Sequence, residues 1–372
     1  MARPRRNLTR FRAMVLSVVG GVQIPGVAAV AHFIRSWPLA AAGATLITLP
    51  YLMGLRSPFE DRPKGRLYLY GGLWPFFAWW TACLAFAVLA PIALGVAWVA
   101  RAPIDPPLAI AFAVAILAGI SATAPRPRIV RREIAIAGLP RALDGYRIAQ
   151  ISDVHCGSYT PAERVAEWAD RLSALEPDLV AITGDLITSG SAHVDGVAAA
   201  LGRLRGRDGV FACMGNHDYF TDAERLVRAL ESHGITVLRN RGVTLERGGA
   251  ALHVAGVDDT WTGRADVARS LSERPAGVPV LLLAHDPNLF PDAAARGVEL
   301  TLSGHTHGGQ LAVPGLSRKL NLARLITPFA AGIYRLGAAT LYVSRGAGTT
   351  GPPVRLGARA ELTLLTLRAL DK

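Results

Sequence analysis

Cysteine is scarce in this sequence. Only three occur among 372 residues, and they stand far apart, at Cys83, Cys156 and Cys213. Such spacing excludes a disulfide framework and a cysteine-rich zinc site, because both need cysteines in even sets or close pairs. We therefore expect the three thiols to be small buried hydrophobic groups. A Walker loop and a dinucleotide-binding glycine fingerprint are also missing, so no nucleotide cofactor is expected.

Acidic residues are rare in the first part of the chain. Residues 1–147 contain 17 Lys and Arg but only 5 Asp and Glu, whereas residues 148–372 contain 23 of each. The net charge of +12 therefore belongs to the first part, where basic residues flank apolar segments. This distribution is typical of membrane topology and not of a nucleic-acid footprint. We expect no nucleic-acid partner, and the neutral second part argues against a nuclease.

Charged residues are absent from four long apolar stretches in the first part. Each stretch is long enough to cross a bilayer as a helix. Without Lys, Arg, Asp or Glu they offer no ion path, which argues against a transporter. We predict an all-α transmembrane domain over residues 1–125, in contact with the lipid bilayer, with about four spans at 13–34, 38–55, 73–100 and 106–124.

The segments that flank these stretches alternate between strongly basic and nearly uncharged. Basic groups lie before the first stretch, between the second and third, and after the fourth, whereas the other two loops hold only Arg35 and Arg101. Basic loops stay in the cytoplasm, so both termini and the C-terminal domain are predicted to be cytoplasmic. The run at 67–100 is long and contains Pro75 and Pro91. If it crossed the bilayer twice, the C-terminal domain would be extracytoplasmic.

Residues 126–372 have a different pattern, in which short apolar runs alternate with amphipathic helical segments. The early runs "YRIAQI", "DLVAIT" and "GVFACM" are each followed by a helical segment, and the end of the chain is rich in strands. Early alternation followed by a strand-rich end predicts a layered α/β sandwich.

The loops after five of these strands carry polar residues that can bind metals. Taken singly, each has an ordinary explanation as a turn, a helix cap or a satisfied polar group. Together they favour a divalent metal site, because ligand sites of open α/β sheets lie at the carboxyl ends of strands. The residues are Asp153, His155, Asp185, Asn216, His217, Asp218, His285, His305 and His307.

The ordered set D-x-H, G-D, G-N-H-D, H and G-H-x-H resembles the calcineurin-like metallophosphoesterases over roughly residues 129–367. The segments "GVDD", "HTHGGQ" and "LYVSRGAGT" further resemble a bacterial branch whose members are often membrane-anchored. The resemblance implies a layered αββα sandwich over residues 126–372. It also implies two divalent metal ions, either Mn, Fe or Zn.

The resemblance also implies a role for each motif residue. The first metal would be held by Asp153, His155, Asp185 and His307. The second would be held by Asp185, Asn216, His285 and His305, with Asp185 bridging the two ions. The glycines around His305 and His307 would make room for both imidazoles. His217 would protonate the leaving oxygen, and Asp218 would orient His217.

One position departs from the pattern of the family. Many relatives carry a second acid three residues after the bridging aspartate, where it pairs with the catalytic histidine. Here that position is Thr188. His217 is then less polarised, or another carboxylate substitutes for the missing acid.

These inferences predict a membrane-anchored phosphoesterase. A hydroxide held between two metals would attack a phosphoester, and the cations would neutralise the developing charge. An active site held at a bilayer surface favours a lipid-linked phosphodiester or pyrophosphate as substrate. The alternative substrates are soluble nucleotides or other soluble phosphodiesters. An alternative of another class is a non-catalytic, metal-stabilised membrane scaffold, against which the presence of His217 argues.

Overall fold

The computed structural model describes residues 5–54, 61, 63–123, 126–317 and 319–370, and the side chains from residue 10 onward except that of residue 11. The chain divides into two compact units. The first consists of Met1–Pro58, Lys64–Pro125 and Pro352–Val354. The second consists of Phe59–Pro63, Arg126–Gly351 and Arg355–Lys372.

The first unit is helical. Its helices are α1 (Arg5–Ile34), α2 (Trp37–Gly54), α3 (Trp74–Ala100) and α4 (Asp105–Ala122), and a π-helical segment at Tyr68–Leu73 leads directly into α3. A polar contact links three of them, since the buried Gln23 accepts hydrogen bonds from Thr48 Oγ1 (3.1 Å) and Trp79 Nε1 (2.8 Å). Buried polar groups need such partners, and these fix α1 against α2 and α3.

Within the described residues, three helical stretches are long and apolar enough to cross a membrane, namely Arg12–Ile34, Arg66–Ala100 and Asp105–Ala122. The remaining predicted span, at 38–55, is helical as α2, but Pro38, Thr45, Thr48 and Pro50 lower its hydropathy. Arg66–Ala100 is one helical stretch of 35 residues. The double crossing considered for 67–100 therefore finds no support in the structure.

The described residues of the second unit form twelve strands in two six-stranded sheets. In chain order they are β1 (Arg128–Ile136), β2 (Arg147–Ile151), β3 (Leu179–Thr183), β4 (Val210–Cys213), β5 (Thr236–Val237), β6 (Arg241–Arg247), β7 (Ala250–Gly256), β8 (Val280–Leu283), β9 (Leu300–Ser303), β10 (Gly332–Leu336), β11 (Ala339–Val343) and β12 (Glu361–Ala369). The first sheet has the order β1-β12-β2-β3-β4-β5, and the second β10-β11-β9-β8-β7-β6. Strand β12 is parallel to β1 and antiparallel to β2.

Helices cover the outer faces of the two sheets. They are α5 (Ala162–Ser173), α6 (Val194–Leu201), α7 (Ala223–Ser232), α8 (Val267–Ser270) and α9 (Phe290–Ala295). Alternate residues of each strand face opposite layers. Ile148 and Leu179 pack between the sheets, whereas Ile151 and Ile182 pack against α5, α6 and α7. Val280 and Leu282 pack against Val267 and Ala293 of α8 and α9. The predicted αββα sandwich is confirmed.

The parallel strands bring the metal-binding motifs together. Strands β2, β3 and β4 are parallel in the first sheet, and β7, β8 and β9 are parallel in the second. The carboxyl ends of β2, β3, β4, β8 and β9 lead into the five motif loops, at Asp153, Asp185, Asn216, His285 and His305. In open parallel sheets this edge is where ligand sites form.

Candidate metal centre

Five of the predicted metal ligands have left-handed backbone conformations. Their φ angles lie between 46° and 71°, at Asp153, His155, Asp185, His305 and His307. Residues other than glycine rarely adopt this region, so the conformation costs free energy that surrounding contacts must offset. The amide N–H groups of Asp153 and His155 donate to the carbonyls of Gly184 and Asp185, each at 3.0 Å. These bonds tie the loops after β2 and β3 together.

The first cluster consists of Asp153, His155, Asp185 and His307, all buried, with one donor atom from each within 4.8 Å of the others. The Nε2 atoms of His155 and His307 are 3.0 Å apart. His155 Nε2 lies 3.4 Å from Asp185 Oδ2, and His307 Nε2 lies 3.4 Å from Asp153 Oδ1. Two ligands at right angles on bonds of about 2.1 Å would be separated by about 3 Å, so this spacing suits a common metal ion.

The second cluster consists of Asp185, His285 and His305, again within 4.8 Å, and it shares Asp185 with the first. His285 Nε2 is 3.3 Å from Asp185 Oδ2 and 3.1 Å from His305 Nδ1. The ring of His285 is fixed by its other nitrogen, because Nδ1–H donates to the carbonyl of Thr183 at 2.7 Å. That bond leaves the Nε2 lone pair directed into the cluster, as a metal ligand requires.

The donor atoms fit a group of cations. Asn216 Oδ1 and Asp153 Oδ2 are buried and accept no hydrogen bond from the part of the chain that the structure describes. Burial lowers the pKa of His155 to about 3 and also lowers the pKa of His307. Burial opposes a charge on His285 too, but without a metal ion the nearby Asp185 carboxylate raises its pKa to about 10, so a metal ion at Nε2 would take the place of a proton. Buried carboxylates and neutral imidazoles that converge in this way are stabilised by a bound metal ion.

His217 lies beside the first cluster with only one of its nitrogens engaged in a close bond. Its ring is 4.7 Å from that of His155, and its backbone N–H donates to Asp185 Oδ1 at 2.9 Å. Nδ1–H donates to the carbonyl of Thr188 at 2.8 Å. Nε2 is 3.4 Å from Thr350 Oγ1, which is a long contact. The imidazole is therefore oriented through Nδ1, with Nε2 directed away from Thr188.

Asp218 does not contact the ring of His217 that it was expected to orient. Its carboxylate accepts four backbone hydrogen bonds, from the N–H groups of Asp185 (3.0 Å), Leu186 (2.7 Å), Ile187 (3.3 Å) and Gly215 (2.9 Å). The carboxylate thus fixes the loop that presents the shared Asp185. His217 is oriented by the Thr188 carbonyl, so a backbone oxygen stands where the family resemblance had led us to expect an acid.

Two glycines allow the loops to approach one another closely. A Cβ on Gly304 would lie 1.9 Å from Ser152 Oγ and 2.3 Å from Asp153 Oδ2. A Cβ on Gly184, whose φ is +83°, would lie 2.7 Å from His285 Nδ1. Gly304 therefore makes room for the loop after β2, and not for the imidazoles of its own motif as the sequence had suggested.

Three side chains that sequence reasoning missed surround the clusters. The fully buried Arg355 donates to the carbonyls of Gly348 (2.6 Å) and His307 (3.2 Å), and its Nη2 lies 3.1 Å from His307 Nδ1. Phe220 packs edge-on to His217, and Trp261 packs edge-on to His305, with ring centroids 4.9 Å and 5.8 Å apart. Phe220 and Trp261 are 45% and 67% exposed. Their only sequence signal is a position shortly after a strand.

Comparisons with known proteins agree with this geometry. The family model described as calcineurin-like phosphoesterase matches residues 146–309. The chain is 34% identical over 264 residues to "Transmembrane protein with metallophosphoesterase domain" from Danio rerio, covering 67% of this chain and 59% of the relative. It is 34% identical over 269 residues to the protein of the same name from Bos taurus, covering 68% and 59%.

A bacterial protein is matched over more of its own length. The chain is 32% identical over 242 residues to "Uncharacterized metallophosphoesterase YkuE" from Bacillus subtilis (strain 168), covering 63% of this chain and 82% of that protein. The chain therefore belongs to the calcineurin-like metallophosphoesterases, a family of phosphoester hydrolases that bind divalent metals. It spans 59% of the length of the zebrafish and bovine relatives.

Proposed function

We propose that the protein is a membrane-anchored phosphoesterase that uses two divalent metal ions. The observation that carries the proposal is the position of Asp185, whose carboxylate belongs to both clusters of donor atoms. The first ion would be held by Asp153, His155, Asp185 and His307. The second would be held by Asp185, Asn216, His285 and His305. Imidazole and carboxylate ligands of this kind suit Mn, Fe or Zn.

The proposed chemistry assigns separate tasks to the metals and to His217. When bound, two divalent ions provide an activated water nucleophile near neutral pH and neutralise charge on the phosphoryl oxygens. His217, protonated at Nε2, would donate that proton to the leaving oxygen. Its Nδ1–H bond to Thr188 and its backbone bond to Asp185 hold the ring beside the cluster. Asp218 would act as a positioning residue for the loop of Asp185.

We propose a lipid-linked phosphodiester or pyrophosphate as the substrate. The first unit contains helices long and apolar enough to cross a membrane. Two exposed aromatic side chains, Phe220 and Trp261, flank His217 and His305. Exposed aromatic rings beside a polar site favour a substrate that has an apolar portion.

We also propose that the catalytic unit is cytoplasmic. Basic groups precede α1, separate α2 from α3 and follow α4 in the sequence. All three lie on the same side only if α2 crosses the bilayer along with the other helices. A C-terminal green fluorescent protein fusion should then be fluorescent in cells, and a C-terminal alkaline phosphatase fusion should be inactive. The reverse pattern would place the unit outside.

The activity is tested with the full-length protein in detergent. We expect hydrolysis of bis-p-nitrophenyl phosphate or p-nitrophenyl phosphate that is lost on chelation and restored by Mn, Fe or Zn. Asp185→Asn should bind fewer metal ions and lose turnover by at least about a thousandfold, because several kcal/mol of charge stabilisation are removed. Asp195→Asn, in a surface ion pair with Arg225, is the matched control. Two bound metals without turnover of either ester would instead support the scaffold.

A further inference from the structure

The second unit contains a long segment without acidic residues. Residues 300–360 include seven Lys and Arg but neither Asp nor Glu, although residues 148–372 as a whole are neutral. Arg345 is paired with Glu361 (2.7 Å) and Arg355 is fully buried, so these two do not contribute free surface charge. Lys319 and Arg324 have no carboxylate partner among the described residues. Positive charge is thus concentrated in one sequence segment.

The same segment exposes large apolar side chains. Ten such side chains are exposed among the described residues of the second unit, and six of them lie within residues 313–326. We name this stretch the apolar loop. Their exposed fractions range from 44% to 82%, at Val313, Leu316, Leu320, Leu322, Leu325 and Ile326. Soluble surfaces rarely gather so many apolar residues, and such gatherings mark interaction sites.

The apolar loop adjoins the metal centre. It begins six residues after His307, and it folds back so that the backbone of Leu322 donates to Leu311 at 3.3 Å. Asn321 packs against Gly309, where an added Cβ would lie 2.8 Å from Asn321 Cβ. A ligand that engages the apolar loop would therefore lie next to the loop that carries His305 and His307.

A cleft of about 580 Å³ lies beneath the apolar loop. Among the described residues, three basic side chains line it, namely Arg132, Lys319 and Arg345, together with Leu316 and Tyr342. Arg132 has no carboxylate partner within the described part of the chain, so two of the three charges are not neutralised. The cleft is large enough for a phosphate head group, and its charge is complementary to one.

We infer that the apolar loop is a bilayer-binding element that inserts into a membrane containing anionic phospholipids. The leucines and Ile326 would enter the interface between head groups and acyl chains, and Lys319 and Arg132 would contact a lipid phosphate. Sequence-tolerant nucleic-acid binding relies on aromatic stacking, which the aliphatic side chains of the loop cannot supply. Binding of the loop to a bilayer does not depend on the proposed function. One consequence rests on it, namely that a lipid-linked substrate would reach the metal centre from the membrane.

Insertion is measured in the full-length protein without reference to catalysis. A Leu325→Cys variant is labelled with an environment-sensitive fluorophore and placed in nanodiscs with or without phosphatidylglycerol and doxyl-labelled lipid. The three native cysteines are buried, which limits their labelling. Leu336→Cys is the matched control, because Leu336 is 52% exposed and pairs with Ala339 at the end of β10 away from the metal centre.

We expect the emission of the fluorophore at position 325 to shift to the blue and to be quenched by the doxyl-labelled lipid. The fluorophore at position 336 should show neither change. Both changes at position 325 should be largest in nanodiscs that contain phosphatidylglycerol. Lys319→Glu should reduce the quenching at position 325 towards the value in neutral discs, whereas Arg335→Glu, on the exposed surface of β10, should not. Equal quenching at the two positions, or none at 325, would overturn the inference and favour a protein or nucleic-acid partner. If the wild-type protein hydrolysed no ester, the proposed function would be overturned, whereas the quenching result would be unaffected.

Discussion

The two halves of the metal centre differ in how deeply they are enclosed. Asp153, His155 and His307 are buried, and Arg355 supports His307 from behind. In the other half, His305 is partly exposed and its neighbour Trp261 projects into solvent. Both halves use Asp185. We therefore propose that the first half would hold an ion within the folded structure, whereas the side of the second half formed by His305 would face the substrate.

The sharpest comparison is between His155→Ala and His305→Ala. We expect the first to lower kcat by at least about a thousandfold, because a buried ligand position is left without a donor and without access to water. The second should cost about a hundredfold and recover partly at high metal concentration, since water can reach the partly exposed position. Metal content and kcat at several metal concentrations measure both. Equal losses would mean that the two halves are equivalent.

Removing the imidazole of the proposed general acid should affect turnover alone. We expect His217→Gln to lower kcat about 10²–10⁴-fold, which is the usual contribution of a general acid. The number of bound metals should stay unchanged, because His217 belongs to neither cluster of donor atoms. His233→Gln, on the exposed end of α7, serves as control. Loss of a metal ion in His217→Gln would reassign the residue as a ligand.

The variant Arg355→Lys tests whether Arg355 holds His307 in place in the first half of the metal centre. An ammonium group cannot reach all of the carbonyls that the guanidinium contacts, so buried oxygens would lose their donors. We expect a loss of about 10–100-fold in metal affinity, and about 2–4 kcal/mol in the free energy of unfolding. Chelator competition and urea denaturation measure the two. A large loss of stability with unchanged metal affinity would show that Arg355 supports the fold but not His307.

The smallest effect on catalysis is expected for a substitution of Trp261, the exposed neighbour of His305 in the second half. Trp261→Ala should raise KM several-fold for a substrate with an apolar portion and leave kcat nearly unchanged, because the ring contacts His305 only at its edge. A small soluble ester should be less affected than a lipid-linked one. If kcat fell as strongly as in His305→Ala, Trp261 would have to be assigned to positioning that ligand.

The sequence allowed the motif residues to be found because each follows an apolar strand. Asp153, Asp185 and His285 are polar residues at the point where a buried run ends, and parallel strands bring such points together. Arg355 could not be found in this way. It approaches His307 from 48 residues further along the chain, and no local periodicity marks that contact. The Thr188 carbonyl was also missed, because any residue type supplies a backbone oxygen.

The fold was predictable as layers but not as an order of strands. Apolar runs that alternate with helical segments predicted the layers, and the nearly continuous apolar runs of β2 and β3 are buried on both faces in the structure. The insertion of β12 between β1 and β2 is a tertiary pairing that strand patterns do not specify. In the helical unit, α2 shows the same limit, because prolines and threonines leave it helical but less apolar than the three stretches that could cross a membrane.

The position of β12 has a consequence for biosynthesis. Among the described strands, β1 pairs only with β12, and the other edge of β12 is needed by β2. Residues 361–369 leave the ribosome after every other strand of the sheet, so β1 and β2 have no strand between them until that point. The apolar helices are synthesised far earlier and can enter the bilayer first. The sheet that presents Asp153 and Asp185 is thus completed only after the apolar helices that precede it have been synthesised.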